Sequence, residues 1–363
     1  MKITKLRTQV IEFPYDPVIE LSPGALLRTG SCVLTFLESD QGVTGEGLVY
    51  TFNGNHTKIY NEIVRGFAPL VEGADPTQAG ALFTKAWNSI RTLGHGGPAV
   101  NAIAALDMAL WDLRAKLAGM NVSGLIGACH TTLPVYDSGS YWVMLTPDEL
   151  QRNVEASMKQ GFRAFKLRVT DNIAKEIPRV KAVRDVIGPD AGLLVDLNQR
   201  TNVPNAIRLG RALEEFNLTW FEEPLLYHDH DGEAEITAAL DVPVASGESV
   251  YTSRGILDML KVRACDIVMP DLQHMGGPTE WLKAAHYAES YSIPCSNHCY
   301  TEMSMSLLAA TPHANWLEYM LWLEPVYRER IELNKNGHAV MPVKPGWGFS
   351  FDPDAVKKYA SQK

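Results

Sequence analysis

Three acids close three apolar runs near the middle of this 363-residue chain. Asp196 ends Gly192-Leu-Leu-Val-Asp, Glu222 follows Leu218-Thr-Trp-Phe, and Glu248 follows Val242-Pro-Val-Ala-Ser-Gly. Each lies 26 residues after the one before. A carboxylate at the end of an apolar run costs free energy unless something compensates its charge. One such acid could cap a helix or pair with a cation. Three, recurring once per strand-plus-helix interval, read as ligands converging on one hard cation. No convincing His or Cys set accompanies them, and oxygen ligands favour Mg²⁺, which keeps positions open for substrate oxygens. Such an ion on a substrate carboxylate would stabilise the enediolate left when an α-proton departs.

Other ionisable groups fall at comparable places. Lys166-Leu-Arg168 puts two cations two residues apart, on one face of a strand. They could serve a carboxylate electrostatically or act as a base on its second face. Arg168 suits an ion pair to a metal-ligand carboxylate equally well. His298 is a base suited to neutral pH, and Asp271, one strand away, could orient it and stabilise its charge. Ser138, Asn198 and Glu318 complete the set of polar groups at strand ends. Glu223 points away from Glu222 and reads as structural. Cys295, His298 and Cys299 resemble a zinc fragment, but no further ligand pair stands at finger spacing, so zinc is not expected.

Something must bring these residues to one place. From Leu133 onward, apolar strand candidates recur near 133–138, 163–169, 192–197, 218–222, 242–246, 266–270, 293–297 and 315–319. Helical patterns lie between them, as at 146–160, 203–216 and 252–263, with Pro147 and Pro204 at tolerated first-turn positions. Eight strands alternating with helices predict a (β/α)₈-type barrel, whose strand carboxyl ends meet on one catalytic face. Residues 1–130 differ. Two β-rich runs, Ile3 to Phe13 and Ser31 to Leu37, frame a segment with Pro14, Pro17, Pro23, Gly24 and Gly30 that reads as irregular. Gly42, Gly45 and Gly47 mark a turn, and helical patterns follow at 57–72, 76–92 and 98–119. The expectation is an α+β cap (1–130), a barrel (131–324) and a tail (325–363) that returns to the cap.

Composition limits the partners. The chain is 46% hydrophobic and 21% charged, ordinary values for a globular protein. A net charge of −9 without a basic run argues against nucleic acid and anionic membranes. Five scattered cysteines favour free thiols in a reducing compartment. The first residues hold no apolar core of signal-peptide length, and no run is long enough to span a bilayer. A cytoplasmic protein acting on a small-molecule substrate is expected.

The chain resembles the enolase superfamily, and within it the mandelate racemase subgroup, over nearly its whole length. The resemblance rests on Tyr136-Asp-Ser138, Gly161-Phe-Arg-Ala-Phe-Lys166, Asp196-x-Asn-Gln199, Trp220-Phe-Glu-Glu-Pro224, Val242-Pro-Val-x-x-Gly-Glu248, Met269-Pro-Asp271, Gly276-Gly277, His298 and Leu308-Ala-Ala-Thr-Pro-x-x-x-Trp-Leu-Glu318. Sites of that superfamily pair a Lys or His base with Mg²⁺. The resemblance implies a (β/α)₇β barrel under a cap built from both termini. It implies Mg²⁺ on Asp196, Glu222 and Glu248, a His298–Asp271 acid–base dyad, and Glu318 hydrogen-bonding the substrate carboxylate as an electrophile. Ser138 and Asn198 would assist binding, and Lys166 would contact the carboxylate and metal ligands. It also implies a homo-oligomer, with segments 14–30 and 50–58 covering the site. Arg28, Asn53 and His56 there would suit a hydroxylated substrate, and Tyr15, Tyr50 and Phe52 an aromatic one; the first is expected.

One departure decides between reactions. The subgroup carries a second Lys two residues after the first, where this chain has Arg168. A guanidinium is a poor base. Racemisation needs acid–base groups on both faces of the enediolate, whereas β-elimination can run on one. The expectation is therefore Mg²⁺-dependent dehydration of an acid sugar. A racemase or epimerase of a 2-hydroxy acid is the alternative within the class. A barrel that binds a sugar acid without turnover is the alternative outside it, and such a binder has no need of a His–Asp dyad.

Overall fold

The chain opens with a three-stranded antiparallel sheet of β1 (Ile3–Ser22), β2 (Ala25–Ser39) and β3 (Thr44–Phe52), in that order. The structure is a computed structural model that describes residues 1–22 and 24–361. The expected irregular segment between Phe13 and Ser31 is instead the outer half of a long β1–β2 hairpin. Pairing continues through Pro14↔Thr29, shifts register, and resumes at Ile19↔Leu27. β1 is an outer strand of the sheet, so prolines that cannot donate a ladder bond are tolerated there. Pro23, also read into that segment, lies outside the described residues.

Behind the sheet lie helices 57–66, 68–71, 79–89 and 97–117, the first pair interrupted at Phe67 ahead of Pro69. The longest, Gly97–Leu117, is buried nearly all round because it lies between the cap sheet and the barrel. Two glycines of β3 make that approach possible. A Cβ on Gly45 or Gly47 would overlap the backbone carbonyls of Ala109 and Ala105. Asp107 on the same helix accepts hydrogen bonds from the backbone N–H (2.7 Å) and hydroxyl (2.9 Å) of Thr279, at the start of a barrel helix.

The parallel strands are β4 (Thr132–Asp137), β5 (Ala164–Arg168), β6 (Gly192–Asp196), β7 (Trp220–Glu222), β8 (Val244–Ser246), β9 (Ile267–Val268) and β10 (Leu317–Tyr319). They pair in chain order, and β10 returns to β4 through Leu317↔Val135, Glu318↔Tyr136 and Tyr319↔Asp137. The strand expected at 293–297 is reduced to single bridges at Cys295, to Val268 on one side and Ala314 on the other. Pro294 has no N–H to extend that ladder. The ring is nonetheless closed, an α/β barrel with helices outside.

Alternation along the strands sorts side chains between two cores. Phe165, Leu167, Val195 and Phe221 pack outward under the helices. Tyr136, Ala164, Leu194, Trp220, Ala245 and Ile267 fill the interior. Next along the inward register come Lys166, Asp196 and Glu222, so the interior turns from apolar to charged within one residue pair. Beyond β10 a last strand, β11 (His338–Val340), pairs antiparallel with β4. The tail then bonds back to the cap: the Trp347 N–H donates to Asp112, and Ala360 pairs with Ile11. Among the described residues no helix is long and apolar enough to cross a membrane.

Candidate active site

Parallel register sets the acids level with one another. Arg168 pairs with Asp196, and Asp196 with Glu222, at the ends of β5, β6 and β7. Glu248 follows β8 after Gly247, whose φ of 121° turns the chain inward. Ligand oxygens of Asp196, Glu222 and Glu248 all lie within 4.8 Å of one another. Several non-glycine residues just after these strand ends are left-handed: Asn198 and Gln199, Glu223, Cys299 and Tyr300. Backbone strain of this kind gathers where side chains are aimed for function.

The cluster is charged out of proportion to its burial. The ammonium of Lys166 contacts Glu222 at 2.5 Å, Glu318 at 2.9 Å and Asp196 at 3.4 Å. Burial lowers the Lys166 pKa, but these carboxylates outweigh it and hold the group protonated well above its usual range. Below it the Trp220 indole donates to Glu222 at 2.7 Å, and the Tyr136 ring lies 5.6 Å from the ammonium. One cation does not satisfy three acids. Burial, and then the nearby Asp196 and Glu248, push the Glu222 carboxyl up to about 8 against the pull of Lys166. Glu248 is likewise raised, chiefly by burial. A hard divalent cation would relieve both, so the donor set fits one.

Asn198 anchors the first acid, donating to Asp196 through its backbone N–H (2.7 Å) and its amide (2.9 Å). Glu223 points outward as expected and accepts from Ser246 and from the N–H of Gly247, fixing the turn that aims Glu248.

On the other side of the acids stands His298. A parallel bridge between Asp271 and His298 sets their side chains together, Nδ1 to Oδ2 at 2.8 Å. Asp271 also accepts from the N–H groups of Gln273 and His274, so its carboxylate cannot swing away. Nε2 is left facing Glu248 at 3.6 Å and the Cys299 thiol at 3.2 Å. Burial lowers the His298 pKa, but the thiol, Glu248 and Asp271 together raise it well above the usual value. Glu318 links the two sides. It accepts from Ser138 (2.7 Å), from the Cys299 N–H (2.6 Å) and from Lys166. Burial raises its pKa, but Lys166, His298 and these donors bring it down to about 2. In this arrangement Glu318 is an acceptor, so a donor role toward a substrate carboxylate would require it to gain a proton.

Arg168 departs from one expectation. Among the described residues it forms no salt bridge to a metal-cluster carboxylate. Its guanidinium donates to the Ser138 carbonyl at 2.6 Å and lies 4.0 Å over the Trp142 ring. Ser138 is fully buried between Arg168 and Glu318.

The covering segments also differ from expectation. Asn53 is exposed and ties the hairpin base, accepting from Arg28 N–H (2.8 Å) and donating to the Leu26 carbonyl (3.0 Å). Arg28 and His56 are exposed. The aromatic members converge instead. Tyr15, Tyr50 and Phe52 meet Trp322, Trp142 and Tyr300, with Phe52 to Trp322 at 4.7 Å and Trp142 stacked on Trp322 at 6.5 Å. Sequence reasoning missed Trp142 and Trp322, which follow β4 and β10 without any motif. It also missed Gln273, which accepts from the Tyr50 N–H and Tyr300 hydroxyl and so joins cap to barrel.

Two family models cover the chain: the mandelate racemase/muconate lactonizing enzyme N-terminal domain over residues 12–127, and the enolase C-terminal domain-like model over 149–355. The protein belongs to the enolase superfamily, in its mandelate racemase/muconate lactonizing subgroup. It is 34% identical to L-talarate/galactarate dehydratase of Salmonella typhimurium over 324 residues, 89% of this chain and 81% of the relative. L-Talarate dehydratase of Polaromonas sp. JS666, solved with Mg and L-glucarate, superposes with a TM-score of 0.92 at 32% identity, covering 99% of this chain and 98% of that one. An enolase from Bradyrhizobium, complexed with magnesium and mandelic acid, gives 0.91 at 28% identity and 99% coverage of both chains.

Proposed function

We propose that this protein is a Mg²⁺-dependent acid-sugar dehydratase that removes the α-proton of an α-hydroxycarboxylate. The observation that carries this reading is the His298–Asp271 dyad set directly against the three-acid cluster through Glu248. Mg²⁺ held by Asp196, Glu222 and Glu248 would supply positive charge opposite the negative charge that develops on the substrate. With its charge offset by Mg²⁺, Glu248 no longer helps hold His298 protonated, and Nε2 is free to take the α-proton, with Asp271 holding the ring and stabilising the imidazolium. His298 then gives a proton to the departing β-hydroxyl on the same face. Water leaves, and the resulting enol tautomerises to a 2-keto acid. Lys166 balances the acids and the substrate carboxylate, while Asn198 and Ser138 fix Asp196 and Glu318.

Single-face chemistry is supported by what occupies the opposite side. Arg168 is pinned by Ser138 and Trp142, and Lys166 is held protonated by three carboxylates. Neither is a ready base. The named relatives include dehydratases of talarate/galactarate, arabinonate, xylonate and galactonate. Screening acid sugars for 2-keto product, with Mg²⁺ and with chelator, tests the reading; turnover that survives chelation would reject it.

The aromatic wall favours a second reading, an aryl-substituted 2-hydroxy acid turned over by racemisation. Both enantiomers of such a substrate would then exchange the α-proton with deuterated water at comparable rates, which single-face chemistry forbids. We further propose a homo-oligomer in the cytoplasm; the five unpaired cysteines suit a reducing compartment.

A further inference from the structure

We propose that His298, Cys299 and Glu318 form a second cation site, distinct from the three-acid cluster, that takes a thiophilic divalent ion such as Zn²⁺ and switches the enzyme off. One ligand atom from each residue, all within 4.8 Å of one another, makes the set. The thiol sulfur and Nε2 are 3.2 Å apart. With Zn–S about 2.3 Å and Zn–N about 2.0 Å, two ligands on a tetrahedral ion stand about 3.5 Å apart, so little movement is needed.

Sequence neighbours normally aim their side chains apart. Here Cys299 is left-handed, with φ 48°, and its thiol comes back onto the preceding imidazole. The Cys299 N–H donates to Glu318 Oε2, which keeps that carboxylate beside the thiol. Glu318 can offer Oε2 to an ion while Oε1 keeps Ser138 and Lys166.

The surroundings are those of a metal-binding histidine. Nδ1 is engaged by Asp271, which fixes the ring and leaves Nε2 as the free donor, the usual carboxylate support of a zinc-bound imidazole. Cys299 and Glu318 are buried, while the His298 side chain keeps 17% exposure. A sulfur–nitrogen–oxygen set prefers Zn²⁺, whereas the all-oxygen cluster of Asp196, Glu222 and Glu248 prefers Mg²⁺. Binding would release both the Cys299 thiol proton and the His298 Nε2 proton to solvent and leave the fourth position to water.

The binding itself follows from geometry; the inhibition rests on the proposed role of His298 as base. The test separates them. Co²⁺ alone is titrated into Mg²⁺-saturated enzyme, and thiolate-to-cobalt charge-transfer absorption is followed. One equivalent should raise the band in wild type and in Cys129→Ser, which removes the exposed thiol. The band should be absent in Cys299→Ser and abolished by added Zn²⁺. On wild-type protein, Zn²⁺ should also slow alkylation of Cys299, read by peptide mass spectrometry, at least tenfold. A band that persists in Cys299→Ser, or unchanged alkylation, overturns the site. Zn²⁺ should inhibit Mg²⁺-supported turnover, with inhibition not relieved by more Mg²⁺ and at least tenfold weaker in Cys299→Ser. If the band forms but turnover continues at full occupancy, the site stands and His298 is not the base.

Discussion

Glu222 carries the conflict between charge and burial most directly. Its carboxyl is pushed from an ordinary value near 4.5 up to about 8 by burial and then by the neighbouring acids. In metal-free protein the native state therefore holds this proton more tightly than the unfolded chain. The stability it contributes is full below about 4.5 and is lost as pH rises through about 8. Mg²⁺ must displace the same proton, so its affinity should rise by roughly tenfold or more between pH 6 and pH 8. Calorimetric titration checks this, and Glu222→Gln should remove most of that pH dependence along with turnover. His298→Asn should abolish both turnover and α-proton exchange with deuterated water. Asp271→Asn should keep residual activity with a displaced pH profile, since it removes orientation and charge but not the base. Exchange retained without His298 would move the base to Lys166. These groups were legible in sequence because a strand's alternation fixes which residues face inward, and an acid at an inward strand end has few other uses. The partners of Arg168 were not, because they come from a loop carbonyl and from Trp142, whose place depends on how the chain leaves β4.

At the scale of elements, the barrel strands could be read because each is a short apolar run of buried residues bounded by polar turns. The hairpin could not. Pro14, Pro17 and Gly30 read as breakers, yet Pro14 and Pro17 fall on β1, an edge strand that absorbs them through register shifts, while Gly30 pairs within β2. Gly30 is needed there for another reason: a Cβ would stand 2.6 Å from the Phe13 ring and the Tyr15 hydroxyl. The close approach of β3 to helix 97–117 is testable in the same terms. Gly47→Ala should cost about 1–3 kcal/mol, because the new methyl meets the Ala105 carbonyl and the backbone at Ala109. Thermal denaturation should show Tm lowered by several degrees. Gly80→Ala is the control. It faces open space on a helix, and a helical alanine is favoured over glycine, so Tm should not fall.

Across the whole molecule, catalytic groups and their cover come from different parts of the chain, joined at few polar points. Asp112 is one of them. Fully buried, it accepts from the Glu46 N–H on β3 (2.8 Å), from Lys116 on its own helix (2.6 Å) and from the Trp347 N–H in the tail (2.9 Å). Asp112→Ala would strand the Glu46 and Trp347 N–H donors and leave Lys116 with the Thr44 carbonyl at 3.1 Å and Glu46 at 3.7 Å. Such losses cost about 3 kcal/mol or more. The functional consequence follows from what β3 also carries. Tyr50 and Phe52 at its end form part of the aromatic wall over the barrel mouth, whereas His298, Asp271 and the three acids sit at the ends of barrel strands and in the turns that follow them. Loosening β3 should therefore raise KM several-fold while leaving kcat within about a factor of three, with Tm lowered in parallel. Asp112→Asn, which still accepts one hydrogen bond, should fall between. If Asp112→Ala instead lowers kcat at unchanged KM, the cap contributes to the chemical step itself rather than to holding substrate over it.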